Sequence, residues 1–135
     1  MHSLPSADTD AVFQSYGRCC RNDRFFADFY ELFMSKSEAI SAVFANTDMP
    51  EQRRLLRAGV MWLIMYARGA SGGKLRDLGR THNRHGYNIN PAWYGQWLDA
   101  LVEAVARHDL QYSATLGDQW RRVLAPGVRL ISEAY

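Results

Sequence analysis

The stretch LRDLGRTHNRHG, Leu75 to Gly86, carries two histidines three residues apart. Leu75, Leu78 and His82 follow one another at offsets of three and four, so they share one face of a short helix. The break GASGG precedes that helix, and NINP follows it. Two readings are open for the pair. Both histidines are solvated helix-end residues beside basic neighbours, or one of them closes an apolar stripe as a metal ligand.

Helical periodicity continues on either side. Val12, Phe13, Tyr16 and Cys20 mark a helix over 9–20. Asn22 caps the next, whose face carries Phe25, Phe26, Phe29, Tyr30 and Phe33. Ser37 opens a short helix ending near Phe44. Asp48 caps a longer one with Pro50 in its first turn, running to about Gly69 with Gln52, Leu56, Gly59 and Leu63 on one stripe. Asn90 caps the following helix with Pro91 inside it; Trp93, Trp97, Leu101 and Val105 lie on one face, with Tyr94, Leu98 and Val102 beside them. Ser113 caps the last, with Leu116, Trp120, Val123, Gly127 and Ile131 inward, and Pro126 is expected to kink or break it. Strand alternation is absent. The expectation is an all-α fold of about seven packed helices, two of them short.

The bulk numbers set limits. A chain of 135 residues reads as a single domain, 1–135, with 1–8 as a flexible N-terminal segment. At 47% hydrophobic it can bury a core, and its aromatic content is 13%. The net charge of +2 comes from scattered basic residues, which leaves no electrostatic footprint for nucleic acid. No apolar run is long enough to span a membrane, and no signal peptide is recognisable, so a soluble cytoplasmic protein is expected. Cys19 and Cys20 are neighbours pointing to different sides of a helix: a packed thiol beside a more exposed one, and a poor chelate. There is no CxxCH for covalent haem attachment.

What kind of metal centre needs so few ligands? Zinc needs three or four in a tetrahedron, and nothing at a helical offset completes a set begun by His82 and His85. Haem iron needs one neutral imidazole and a flat apolar slot. An aromatic-rich chain with a histidine at the end of an apolar face meets that demand.

The pattern LxxLGxxH, Leu75 to His82, resembles the F helix of a globin with its proximal histidine. FYELFMSKSEAISAVF, Phe29 to Phe44, resembles the B and C helices of bacterial globins and of flavohaemoglobin globin domains, where a B-helix tyrosine precedes the haem-stacking phenylalanine by fourteen residues; Tyr30 and Phe44 have that spacing. QRRLL, Gln52 to Leu56, resembles the distal glutamine and the apolar residue that follows it over the haem. NPAWYGQWLDALVEAV and LGDQWRRVL resemble the G and H helices. The resemblance covers about residues 10 to 132.

It implies a globin fold around non-covalent haem b. His82 is the iron ligand, preferred over His85 because Leu78 and Leu75 stand one and two turns before it, whereas Thr81 stands before His85. Counting back from Pro91 and Tyr94 points between the two. Leu55, Leu56, Leu78, Tyr94, Trp97, Leu98 and Phe44 line the haem; His85 and Arg84 approach a propionate or are solvated. Tyr30 and Gln52 are the catalytic distal pair, although Tyr30 also reads as a core tyrosine bonded to a backbone carbonyl and Gln52 as a solvated first-turn residue.

Two departures stand out. The loop between Phe44 and Gln52 is about two residues shorter than in flavohaemoglobins, so the distal assignment is open to a slip of one. Tyr135 falls where those proteins carry an H-helix glutamate acting on the proximal histidine, with Glu133 two residues early.

The resemblance implies oxygen, nitric oxide or carbon monoxide as ligands. High oxygen affinity is expected, with nitric oxide dioxygenation served by a separate reductase as the enzymatic reading and oxygen binding as the broader one. The alternatives are a non-catalytic gas or redox sensing module, and a haem-free globin-fold interaction protein.

Overall fold

A computed structural model of the chain describes residues 5–134. Seven helices follow in order: α1 (Ser6–Cys19), α2 (Phe25–Ser35), α3 (Glu38–Val43), α4 (Met49–Ala67), α5 (Gly73–His82), α6 (Trp93–His108) and α7 (Ala114–Glu133). No strand occurs among the described residues. The all-α architecture is therefore the one expected from the periodicity. Residues 1–4 of the segment expected to be flexible lie outside the described residues, and α1 already begins at Ser6.

Several helix starts are set by side chains that satisfy free backbone donors. Ser37 accepts from the Ile40 N–H at 3.2 Å, Asp48 from Glu51 at 3.2 Å, and Ser113 from Leu116 at 3.1 Å. Pro50 sits in the first turn of α4, where its missing N–H removes no helical bond. Asn90 behaves differently from expectation. Its Oδ1 accepts from the Ala92 N–H and its carbonyl from Trp93, closing a turn that contains Pro91, so α6 starts only at Trp93. Pro126 does not break α7, which runs unbroken from Ala114 to Glu133. Val123, Leu124, Gly127 and Ile131 are buried on either side of it, and this packing holds the helix together across one lost backbone bond.

The inward stripes fill one core. Phe25, Phe26, Phe29, Tyr30 and Phe33 bury together on α2, and Leu116, Trp120, Val123, Gly127 and Ile131 on α7. On α1 the buried stripe is Val12, Tyr16 and Cys19, while Phe13 turns partly to solvent under the Arg68 guanidinium, 4.9 Å above its ring. On α4 it passes through Leu56, Val60, Leu63, Ile64 and Ala67 rather than through Gly59. Cys19 is buried and Cys20 half-buried, both as free thiols. α2 packs chiefly on α6, and α7 receives α1, α4 and α5.

Two glycines allow that convergence. A Cβ on Gly127 would come 2.5 Å from Leu63 Cδ2 and 3.1 Å from Leu75 Cδ1; one on Gly79 would come 2.7 Å from the Ala134 Cβ. The glycine within LGRTH thus lets α5 lie close against the end of α7, which fixes where His82 projects.

A buried polar network ties α1, α7 and the end of α6 together. Asp109 takes Arg18 Nε at 2.7 Å and Nη2 at 2.9 Å, the Ser15 hydroxyl at 2.6 Å and the Gln111 N–H at 2.9 Å. Trp120 Nε1 donates to Ser15 Oγ at 2.9 Å. Burial alone would raise the Asp109 carboxyl, but the bonds from Arg18, Ser15 and the Gln111 N–H outweigh it and hold the group below its ordinary value. A pKa lower in the fold than in the unfolded chain stabilises above the unfolded value, here 3.8, and is lost as pH falls through the folded value. Asp109→Asn is expected to cost about 1–3 kcal/mol at neutral pH. In urea titrations the difference from the parent should shrink steadily once the pH drops below the ordinary carboxylate range; a constant difference at all pH values would contradict this account.

Candidate functional site

Helix α5 ends at His82 because the next residue, Asn83, turns extended and binds the following loop. Asn83 Oδ1 accepts from the N–H groups of His85 and Gly86, both at 3.0 Å. The Ile89 N–H returns to the His82 carbonyl at 2.9 Å, fixing the last turn. The two histidines are thereby separated: His82 is half-buried and His85 is exposed. Burial lowers the His82 pKa, which favours the neutral imidazole that a metal requires. Its Nδ1 lies 3.4 Å from Tyr94 Oη. Among the described residues, Nε2 forms no hydrogen bond.

Tyr30 of α2 and Gln52 of α4 meet. Gln52 Nε2 donates to Tyr30 Oη at 3.0 Å, and the Tyr30 hydroxyl approaches the Gln52 carbonyl at 3.4 Å. Gln52 is half-buried rather than solvated, and Tyr30 is buried. Burial pushes the Tyr30 phenol up to about 12, so it keeps its proton at any ordinary pH. Its long bond to a carbonyl leaves the hydroxyl proton weakly committed.

Aromatic contacts join the two ends. Tyr30 packs edge-on against Phe44 at 5.4 Å and against Phe29 at 4.9 Å, and Phe29 meets Trp97 edge-on at 5.7 Å. Tyr94, Trp97 and Leu98 share one face of α6 at offsets of three and four, and Tyr94 reaches His82. Burial pushes the Tyr94 phenol up to about 12 as well.

Phe44, Leu78, Tyr94, Trp97 and Leu98 pack against the core yet remain only half-buried. Such a run of large apolar side chains is suited to covering by a flat apolar ligand. Leu56 is buried, whereas Leu55 is 46% exposed, so the two leucines that follow Gln52 face different surroundings. Sequence reasoning placed Phe29 on the apolar face of its helix without a role in the site, and did not foresee the Tyr94–His82 contact, which joins residues twelve apart across a loop. No local signal marks either. Tyr135 lies outside the described residues, and among those described no cluster of three His, Cys, Asp or Glu side chains is placed to hold a bare metal ion.

The donor set and its surroundings fit a porphyrin: one neutral imidazole with an unengaged Nε2, and a half-covered aromatic wall beside it. Among the described residues no helix is long and apolar enough to cross a membrane.

The chain matches no protein-family model and no curated protein sequence. It is similar to a Pseudomonas aeruginosa protein whose crystal structure is described as structurally highly homologous to a human hemoglobin. The two are 51% identical over 95% of this chain and 98% of that one, with a TM-score of 0.93. Identity of that extent, on the same helical architecture, establishes what the LxxLGxxH pattern suggested: the chain belongs to the globin family, of the bacterial single-domain kind.

Proposed function

We propose that this globin holds haem b non-covalently through His82 and binds oxygen and other diatomic gases with high affinity. The reaction it serves is nitric oxide dioxygenation to nitrate, with the electron for each turnover coming from a separate reductase. The observation that carries the reading is the run of contacts from Gln52 and Tyr30 through Phe29 to Trp97, on the same helix that presents Tyr94 to His82. It lays a donor pair and a neutral imidazole along one aromatic wall.

The haem would supply the open iron position at which the gases meet and the electron that their conversion to nitrate consumes. The protein's own residues do the rest. Tyr94 positions the His82 ring through Nδ1 and leaves Nε2 for the metal. The Tyr30 hydroxyl and the Gln52 amide are two donors held ready for the partial negative charge that oxygen acquires on binding. Phe44, Leu78, Trp97 and Leu98 are the half-buried apolar side chains that would line the macrocycle and exclude water. Leu56, His85 and Leu55 complete the lining in this reading, the last two at its exposed rim.

Haem-loaded protein kept reduced and oxygenated is expected to consume nitric oxide with stoichiometric nitrate, repeatedly while a reductant is supplied. Reversible nitric oxide binding with no nitrate would remove the enzymatic part and leave a gas-binding globin.

A further inference from the structure

Away from this site, a groove of about 630 Å³ runs between the end of α1 and α4. Its floor includes Gly17, Cys20 and Met61, and its rim carries Arg21, Arg54 and Arg57. We propose that it binds a free fatty acid, with the carboxylate on the arginine rim and the alkyl chain on the floor.

Three features favour that occupant. No carboxylate lines the groove. Arg54 is engaged by Glu51, with Nε 2.9 Å from Oε2, but Arg21 and Arg57 form no ion pair among the described residues. Neither therefore has a counter-charge, although the Arg57 guanidinium also lies over the Phe26 ring, 5.9 Å from its centroid, and the planar forks match a carboxylate. The floor, in contrast, is apolar. Gly17 is exposed beside it and leaves open space there, since a Cβ would meet nothing within 4 Å. The walls are pinned by the Tyr16 hydroxyl, which donates to the Arg57 carbonyl at 2.7 Å, so the groove is part of the fold. Its volume lies in the range of small-molecule sites. Burial raises the Cys20 thiol, which makes it an uncharged part of the wall.

The neighbouring pocket around Arg18, Arg24 and Arg107 lacks this character. Asp23 lines it, and Asp109 and Asp28 hold Arg18 and Arg24, two of its four arginines; Arg21 lines both pockets.

The test uses haem-loaded protein and dodecanoate below its micellar concentration, followed by calorimetry. One-to-one binding is expected, weakened about tenfold or more by Arg21→Glu, by Gly17→Leu, and by replacing the acid with its methyl ester. Gly17→Leu places its side chain in open space and removes a helical glycine, so it should fold at least as stably as the parent while filling the groove. Dodecanoate should also slow alkylation of Cys20 in proportion to occupancy; Cys19 is buried and contributes little. The proposal is overturned by absence of binding, by binding that both variants leave unchanged, or by a dodecanoate-induced shift of the haem absorption band, which would place the lipid in the haem cleft. Association with phosphatidylglycerol vesicles without binding of the free acid would equally overturn it, since the rim would then serve a membrane surface.

Discussion

His82→Ala purified under haem-replete conditions is expected to lose the strong Soret absorption of the parent, whereas His85→Ala keeps it. The structure gives the reason in the two environments. His82 is half-buried, shifted toward its neutral form by burial, and orientated by Tyr94, with Nε2 unengaged. His85 is exposed, and its backbone is held in the turn closed by Asn83. Removing His82 deletes the only metal bond this reading gives the protein, so the effect is loss of the cofactor rather than a change in its affinity for gas. Millimolar imidazole should restore a haem spectrum to His82→Ala by entering the space left behind, which a variant that had merely unfolded would not do. If His85→Ala loses the band and His82→Ala keeps it, the ligand assignment passes to His85. A parent without any Soret band would support the haem-free alternative.

The α5 stretch shows how far local sequence reaches. The spacing of Leu75, Leu78 and His82 is a property of one helix face, and one helix is enough to read it. So are the caps at Ser37, Asp48 and Ser113, whose partners lie three residues away. What the sequence withheld depends on partners far along the chain. Gly79 in LGRTH is small because Ala134 and Ile131 lie against it, and nothing near Gly79 says so. Asp109 reads as a loop aspartate until Ser15 and Arg18 close on it from α1. Pro126 follows the rule for isolated helices, and the rule yields where tertiary packing supports both flanks. In the site, the resemblance to bacterial globins drew attention to Tyr30, Phe44 and Gln52, but the Gln52–Tyr30 hydrogen bond, like the approach of Tyr94 to His82, required the folded helices.

The distal pair carries the second large effect. Tyr30→Phe is expected to speed oxygen dissociation from the reduced, haem-loaded protein about tenfold or more, and Tyr30→Phe with Gln52→Leu about a hundredfold or more. A hydrogen bond to a charged acceptor contributes roughly 1.5–3 kcal/mol, and each ~1.4 kcal/mol is a factor of ten in rate, so each donor accounts for about one decade or more. The phenol is protonated throughout the working range because burial holds its pKa at about 12, so the effect should not vary between mildly acidic and mildly alkaline buffer. The two contributions should not add simply. Gln52 Nε2 donates to Tyr30 Oη at 3.0 Å, so removing the hydroxyl also strips the amide of its acceptor and frees it to turn toward the ligand. Tyr30→Phe alone should therefore stay near the tenfold end of that range, with the larger part of the combined effect appearing only in the double variant. Carbon monoxide, which is less polar when bound, should dissociate at nearly the parental rate in both. Flash photolysis and stopped-flow oxygen displacement measure both gases on the same preparations. Equal acceleration for the two gases would mean that the substitutions had widened the pocket rather than removed a donor, and unchanged oxygen kinetics would leave Tyr30 as a core tyrosine bonded to the Gln52 carbonyl.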